Sequence, residues 1–522
     1  MQDVVLRTFL VIEDELQRDV GLPGPLRIRR VRAVADHVTR VSGRTVDGVH
    51  GCILAGNPDR HRAERQGSMD DMSSTLLWFR RDLRVHDLPP LLEAAADSAE
   101  VLGVFVLDPR LEQSSGPRRL QFLGDSLRAL ADTLDGRLLI VRGRPETQIP
   151  ALAAQIEADT VHISADFSPF GTRRDRTVAE ALAGDGRTVQ ATGSPYLVSP
   201  GRVTKDDGSA YKVFTPFLAR WREVGWRGPA QSAQAGAWID PDTLAGVDRV
   251  EAPDPGATMD VEAGEAAARR HWDEFVDTGL ADYAEDRNRP DKPGTSRMSA
   301  HLKFGTIHPR TMAADLDVRT TGAAAYLREL AFRDFYAAVL AEWPESAWRN
   351  WNRNYDAIEV DTDAAAKTAF DAWTQGRTGY PIVDAGMRQL LETGFMHNRV
   401  RMIVASFLVK DLHLPWQWGA RWFLDQLVDG DVANNQHGWQ WCAGSGTDAA
   451  PYFRVFNPTA QGEKFDPGGD YVRRWVPELA GPDVLVTDVH KLKGGRPAAY
   501  PEPIVDHATE RVEALARYGR IG

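Results

Sequence analysis

Apolar residues follow two rhythms along this chain. Between residue 74 and about residue 200, short unbroken runs recur at Leu76–Phe79, Val101–Leu107, Leu138–Val141 and Val161–Ser164. Runs this short and continuous read as strands buried on both faces. Between them the spacing turns helical, as in Leu120–Leu134 and Arg173–Leu182. Strand and helix in alternation predict βαβ units and a doubly wound parallel sheet, whose ligand lies beyond the carboxyl ends of the strands. From Val261 to about Leu479 the period is helical, over Gly264–Gly279, Tyr326–Glu342, Pro381–Gly394 and Asn398–Leu412, with no strand run. Pro, Gly, Ala and Ser dominate Gly228–Gly236 and Ala252–Ala257 between the two regions. The expected organisation is an α/β domain over 74–200, a linker over 201–262, a larger all-helical domain over 263–480 and a C-terminal tail over 481–522. Residues 1–73 lack turn chemistry tying them to the first apolar run. They read as an extension, either a disordered tail or an upstream start before a functional beginning near Met69 or Met72, with a small regulatory domain as the alternative.

Composition narrows the class. Apolar residues make up 43% and charged residues 26% of 522 positions, which suits a soluble globular protein of two to four domains. No apolar stretch approaches the ~20 residues of a membrane span, and no secretory signal is present, so the expected compartment is a reducing cytoplasm. Cys52 and Cys442, the only 2 cysteines, give neither a disulfide framework nor a metal cluster. The formal net charge of −12 opposes a role as a basic nucleic-acid coat. Any DNA contact must therefore use a local basic patch. The 15 Trp residues concentrate between Trp343 and Trp441.

Hydrolase elbows, zinc-protease helices and phosphate-loop lysines are absent. Three polar segments stand out instead. Gly294-Thr295-Ser296-Arg297-Met298-Ser299 comes after a Pro-rich loop and precedes an apolar segment. Hydroxyls and backbone N–H groups at a helix start suit a phosphate, and equally a plain N-cap. Asp429-Gly430-Asp431-Val432-Ala433-Asn434-Asn435 leads into Trp439-Gln440-Trp441. Its carboxylates can hold ribose hydroxyls or Arg, and its amides a heterocycle edge; a capped polar turn beside buried Trp fits as well. Met396-His397-Asn398-Arg399-Val400-Arg401-Met402 opens an apolar helix on which Arg399 and Arg401 point to different sides. One can pair inside while the other meets a ligand phosphate, although a single Arg is more often a solvated surface residue.

Taken in order, these segments resemble the photolyase/cryptochrome family, specifically class I cyclobutane pyrimidine dimer DNA photolyases. Leu77-Trp78-Phe79-Arg80-Arg81-Asp82-Leu83-Arg84, Tyr211–Phe217, Thr378–Ala385, Met396–Lys410 and Gly446–Phe453 extend the match over roughly 74–480. The resemblance implies FAD in the helical domain, reduced and anionic in the active form. Tyr283, Thr295, Ser296, Arg297, Met298 and Ser299 match its phosphate positions. Tyr326, Arg333, Asn398, Arg401, Asp429 and Asp431 match positions around the flavin and ribose, with Arg401 and Asp429 expected to pair. Asn435 matches the amide facing the flavin N5. The implied reaction is light-driven electron transfer to a pyrimidine dimer flipped out of damaged DNA. Glu329 matches the carboxyl that bonds the dimer. Asn398, Arg399, Met402, Phe332 and Trp441 match pocket contacts, and Arg287 and Arg399 match positions near backbone phosphates. Trp439 and Trp416 match the first two members of an electron relay. Asp166, at a strand end, and Lys303 imply an antenna chromophore, 8-hydroxy-5-deazaflavin in preference to methenyltetrahydrofolate. No membrane or protein partner is implied, and a monomer is expected.

The chain also departs from the pattern. Phe332 stands where many class I members have Trp, and Tyr326 replaces a commoner Trp. The third relay Trp is missing, its place falling at Asp363, with Trp348, Trp351 or Tyr355 as candidate substitutes. The runner-up function is a cryptochrome-like photoreceptor without repair, against which Asn435 and the short tail both speak. Repair of (6-4) photoproducts relies on a His pair where Asn398 and Met402 stand here. A flavin-free DNA-binding module is the remaining class, and a colourless protein would mark it.

Overall fold

The computed structural model describes residues 74–231, 235–480 and 488–521. The expectation for residues 1–73 lies outside the described residues. β1 (Ser74–Phe79), β2 (Glu100–Leu107), β3 (Leu138–Arg142) and β4 (Thr160–Ile163) form where the apolar runs lie. β5 (Thr188–Ala191) adds an edge, giving the order β3-β2-β1-β4-β5 with every pair parallel. β1 aligns Leu76 with Leu102 and Trp78 with Val104 on one side, and Leu76 with Val161 on the other. Its residues from Thr75 to Phe79 are all buried, as a central strand covered on both faces requires. Gly, Pro and charged residues obscure β6 (Ala237–Trp238), which pairs with the start of β2.

Helices cover both faces, α1 (Pro117–Thr133) and α2 (Pro169–Gly184) among them. This is the doubly wound α/β domain, and its chain order reverses between β1 and β4. The C-terminal half is all helical and carries the larger cores.

The stretch read as a linker holds α3 (Phe214–Val224), whose Phe214, Phe217 and Trp221 are buried among the helices of the C-terminal half. It packs on α4 (Thr321–Glu342), a 22-residue helix opened by a Thr320 N-cap. Asp334 of α4 locks the corner. Its buried carboxylate accepts from the backbone N–H groups of Leu197 and Val198 and from Trp221 Nε1–H at 3.0 Å. Burial raises its pKa to about 6, against those donors and Arg333.

The stretch read as a tail is likewise built into the helical core. Tyr500 donates to Asp384 at 2.6 Å, and Tyr518, on the helix His507–Gly519, donates to the Ala443 carbonyl at 2.6 Å. Asp384 also accepts from Thr378 and Gly379, which explains its place in the Thr378–Ala385 motif as a structural tie. Among the described residues no helix is long and apolar enough to cross a membrane.

Candidate functional site

Four of the residues expected at the substrate lie around one open cleft of about 630 Å³. α4 presents Ala325, Arg328, Glu329 and Phe332 on a single face, as spacings of three and four dictate. α3 forms the facing wall with Leu218 and Arg222. The turn after Tyr283–Asp286 brings Arg287 and Asn288, and α5 (Asn398–Lys410) brings Arg399.

Glu329 accepts from Arg287 at 2.6 Å. Arg399 donates to Asn288 Oδ1 at 2.6 Å and lies 4.3 Å from the Phe465 ring, while its buried Nε has no partner among the described residues. Burial, then the nearby Arg287 and Arg454, lowers its pKa, so the group favours an incoming anion. Phe332 stacks face to face on Phe214, with centroids 3.4 Å apart and planes 8° apart. Asn398 is exposed at the first position of α5, and Met402 and Trp441 are half-buried against the core behind it.

The expected cofactor residues form two groups. In the first, Ser296 Oγ is 2.8 Å from the Tyr326 hydroxyl, and the Tyr283 ring lies 5.0 Å from that of Tyr326. Met298 is buried beside them. Arg401 and Asp429 pair at 2.9 Å, leaving the buried Asp429 Oδ1 without a partner among the described residues. Arg297 adopts φ +54°, pairs with Asp260 and lies over Phe395, with its buried Nε likewise unpartnered. The hydroxyls of Thr295 and Ser299 have no partner among the described residues. Such hydroxyls and two guanidinium groups offer donors for the phosphates, and the orphaned carboxylate oxygen an acceptor for ribose hydroxyls, a set that fits a dinucleotide such as FAD.

The second group reaches the α/β domain. Asp431 caps α6 (Val432–Ala443) through the Asn434 N–H and pairs with Arg81, just beyond β1, at 2.7 Å. Burial would raise its carboxyl, but Arg81, Lys303 and Arg333 hold it well below the carboxylate range. Arg333 donates to the carbonyls of Pro195 and Leu302 at 2.7 and 3.0 Å. The resemblance gives both residues to the flavin; their side chains also bind the α/β domain to the helical one. The expected antenna residues share this network. Asp166 comes after β4 at the switch point and pairs with Arg174; burial opposes its ionisation, yet Arg174, Arg81 and Arg80 hold it at about 2. Burial, with Arg81 and Arg119, pushes Lys303 down to about 7 against Asp431 and Asp166.

On α6, Asn435 donates to the Ala420 carbonyl at 3.0 Å and to Gln436. Trp439 is buried with its ring centroid 6.1 Å from Trp373 and 5.0 Å from Phe423. Trp416 donates through Nε1–H to Asn350 at 2.9 Å and, among the described residues, touches no other aromatic ring. Asp363 is the N-cap of the helix Ala364–Thr374, accepting from Ala366 N–H at 2.8 Å. Trp351 packs edge-on to Trp343, and Tyr355 lies 6.0 Å from Tyr518.

Sequence reading missed α3 and the role of Arg81. Two consecutive arginines at the carboxyl end of an apolar strand were the available signal.

A family model described as DNA photolyase matches residues 75–235, and one described as the FAD binding domain of DNA photolyase matches 326–520. The chain belongs to the DNA photolyase family. It is 41% identical over 469 residues to the deoxyribodipyrimidine photo-lyase of Streptomyces griseus, covering 86% of this chain and 99% of that protein. The solved class III photolyase of Agrobacterium tumefaciens superposes with TM-score 0.76 at 36% identity, over 88% of this chain and 99% of that one. An archaeal photolyase from Sulfolobus tokodaii, solved with two FAD molecules, gives TM-score 0.73 at 31% identity, over 86% and 100%. The photolyase match that ends at residue 520 takes in the stretch read as a tail, in keeping with its packing.

Proposed function

We propose that this photolyase repairs cyclobutane pyrimidine dimers in DNA, driven by light, within class I of the family. The observation that carries this reading is the cleft in which Glu329, Arg287, Arg399 and Phe332 converge. A flipped-out dimer would meet a carboxylate for its bases, aromatic faces for stacking and guanidinium groups for its phosphates. FAD, in its reduced and deprotonated form, would supply the light-driven electron. Thr295, Ser296, Arg297, Ser299, Arg401 and Asp429 are the residues to hold it, with Asn435 at the flavin edge. Met298, Tyr326 and Tyr283 would pack around it. An amide at that edge tolerates a negative ring, whereas a carboxylate would oppose it.

Asn398, Met402 and Trp441 would complete the lesion pocket, and Trp439 and Trp416 would carry electrons to oxidised flavin. We also infer an antenna near Asp166 and Lys303, 8-hydroxy-5-deazaflavin being the preferred candidate. The Sulfolobus relative makes a second FAD an outcome to distinguish by the absorption spectrum of the purified protein.

The test is direct. The reduced protein is mixed with an oligonucleotide bearing one cyclobutane thymine dimer and exposed to blue light. Light-dependent recovery of thymine absorbance is expected. No recovery from a flavin-loaded, photoreducible protein would overturn the repair reading in favour of a photoreceptor.

A further inference from the structure

The cleft continues beyond the residues that the repair reading uses. Its lining also includes Arg222 of α3 and Arg328 of α4, with Leu218, Ala324 and Ala325. We propose that Arg222 and Arg328 form a second subsite, which receives a backbone phosphate of the DNA strand beside the flipped-out lesion. The proposal rests on reading the cleft as the lesion site.

The chain has 74 acidic against 62 basic residues. This cleft inverts that balance, with Arg222, Arg287, Arg328 and Arg399 facing one carboxylate, Glu329, already paired with Arg287. Arg222 and Arg328 have no carboxylate or hydrogen-bond partner among the described residues. Glu223, next along α3, is taken by Arg220 at 3.0 Å. Two unpaired guanidinium groups in a four-arginine cleft are complementary to a polyanion.

Aromatic rings support Arg328 from beneath. Its guanidinium carbon lies 5.4 Å from the Phe214 ring centroid and 5.7 Å from that of Phe332. Those rings are stacked on each other, and the Phe214 N–H is held by Asp448 Oδ2 at 3.2 Å. A guanidinium resting on such a platform keeps its N–H donors in plane for a phosphate and loses less side-chain freedom on binding. Leu218, Ala324 and Ala325 add no donor, so the subsite reads backbone and not sequence. Arg328 directly precedes Glu329, which makes the phosphate it meets a neighbour of the lesion.

The experiment uses the flavin-loaded protein and four variants: Arg222→Gln, Arg328→Gln, the double substitution, and, as a charge-matched control, Arg511→Gln, an exposed residue of the helix His507–Gly519. Affinity is measured across a salt series for a duplex with one cyclobutane thymine dimer and for the same duplex undamaged. The double substitution is expected to weaken both DNAs and to flatten the slope of log K against log salt by about 0.9, the contribution of one phosphate, and each single substitution by less. An unchanged slope in the double variant, or an equal change in Arg511→Gln, would overturn the subsite. Replacing single phosphates of the dimer duplex by methylphosphonate should then find one position beside the lesion whose neutralisation weakens the wild type but not the double variant; finding none would also overturn it. A wild type that shows no preference for the dimer duplex would sink the lesion reading instead, while the slopes on undamaged DNA still decide the arginine pair.

Discussion

Arg287 and Glu329 neutralise each other across the cleft at 2.6 Å, so a change to either strands its partner. Glu329→Ala removes a charge-assisted bond of about 1.5–3 kcal/mol, and we expect repair to fall roughly 10- to 100-fold in the thymine-absorbance assay. Glu329→Gln, which keeps an acceptor, should lose less. Gly419 is a quieter residue with a sharper constraint. A Cβ there would lie 2.1 Å from Cη2 of Trp439. Gly419→Ala should lower stability by about 1–3 kcal/mol and disturb Trp439, read as a lower thermal midpoint with altered tryptophan fluorescence. Motif order located Arg401 and Asp429 and anticipated their pairing. It did not show that Asp431 and Arg333 also tie the two domains together, because a carboxylate near a cofactor motif and one in an interdomain ion pair look identical in one dimension.

At the scale of elements, strands were legible where burial on both faces left unbroken apolar runs. β5, with Thr188 and Gln190, is an edge and shows no such run. α3 was passed over because Pro and Gly around it masked Phe214, Phe217 and Trp221, whose helical spacing was present. Asp334 is what fixes this helix to α4. Asp334→Ala leaves three donors without an acceptor, and we expect a loss of about 3 kcal/mol or more in urea unfolding, with the cleft wall displaced. The C-terminal segment was taken for a tail because its Pro-rich lead hid the amphipathic helix His507–Gly519. Truncation after residue 480 removes the Tyr500–Asp384 and Tyr518–Ala443 bonds, and the expected outcome is loss of soluble folded protein on expression.

Over the whole molecule, acid sensitivity arises from buried histidines. Burial lowers His301 to about 3 and His397 and His437 to about 4. Below the unfolded value of about 6.5 the unfolded chain takes up protons that the folded one refuses. Stability is therefore full above about pH 6.5 and falls from there toward about pH 4, by at most about 1.4 kcal/mol per pH unit for each histidine. Urea midpoints at pH 7, 5.5 and 4.5 should drop progressively; a flat profile would contradict the burial of these rings as neutral groups.

The pairing of Arg81 with Asp431 also has a temporal side. The two residues are 350 positions apart. At about 5–20 residues per second of translation, Arg81 is made on the order of 20–70 s before its partner. Until then the nascent sheet carries Arg80 and Arg81 with only the earlier carboxylates, Asp166 and Asp175 among them, to balance them. The cap of the helix that bears Asn435 and Trp439 is thus completed only after the first strand has waited through most of the chain's synthesis.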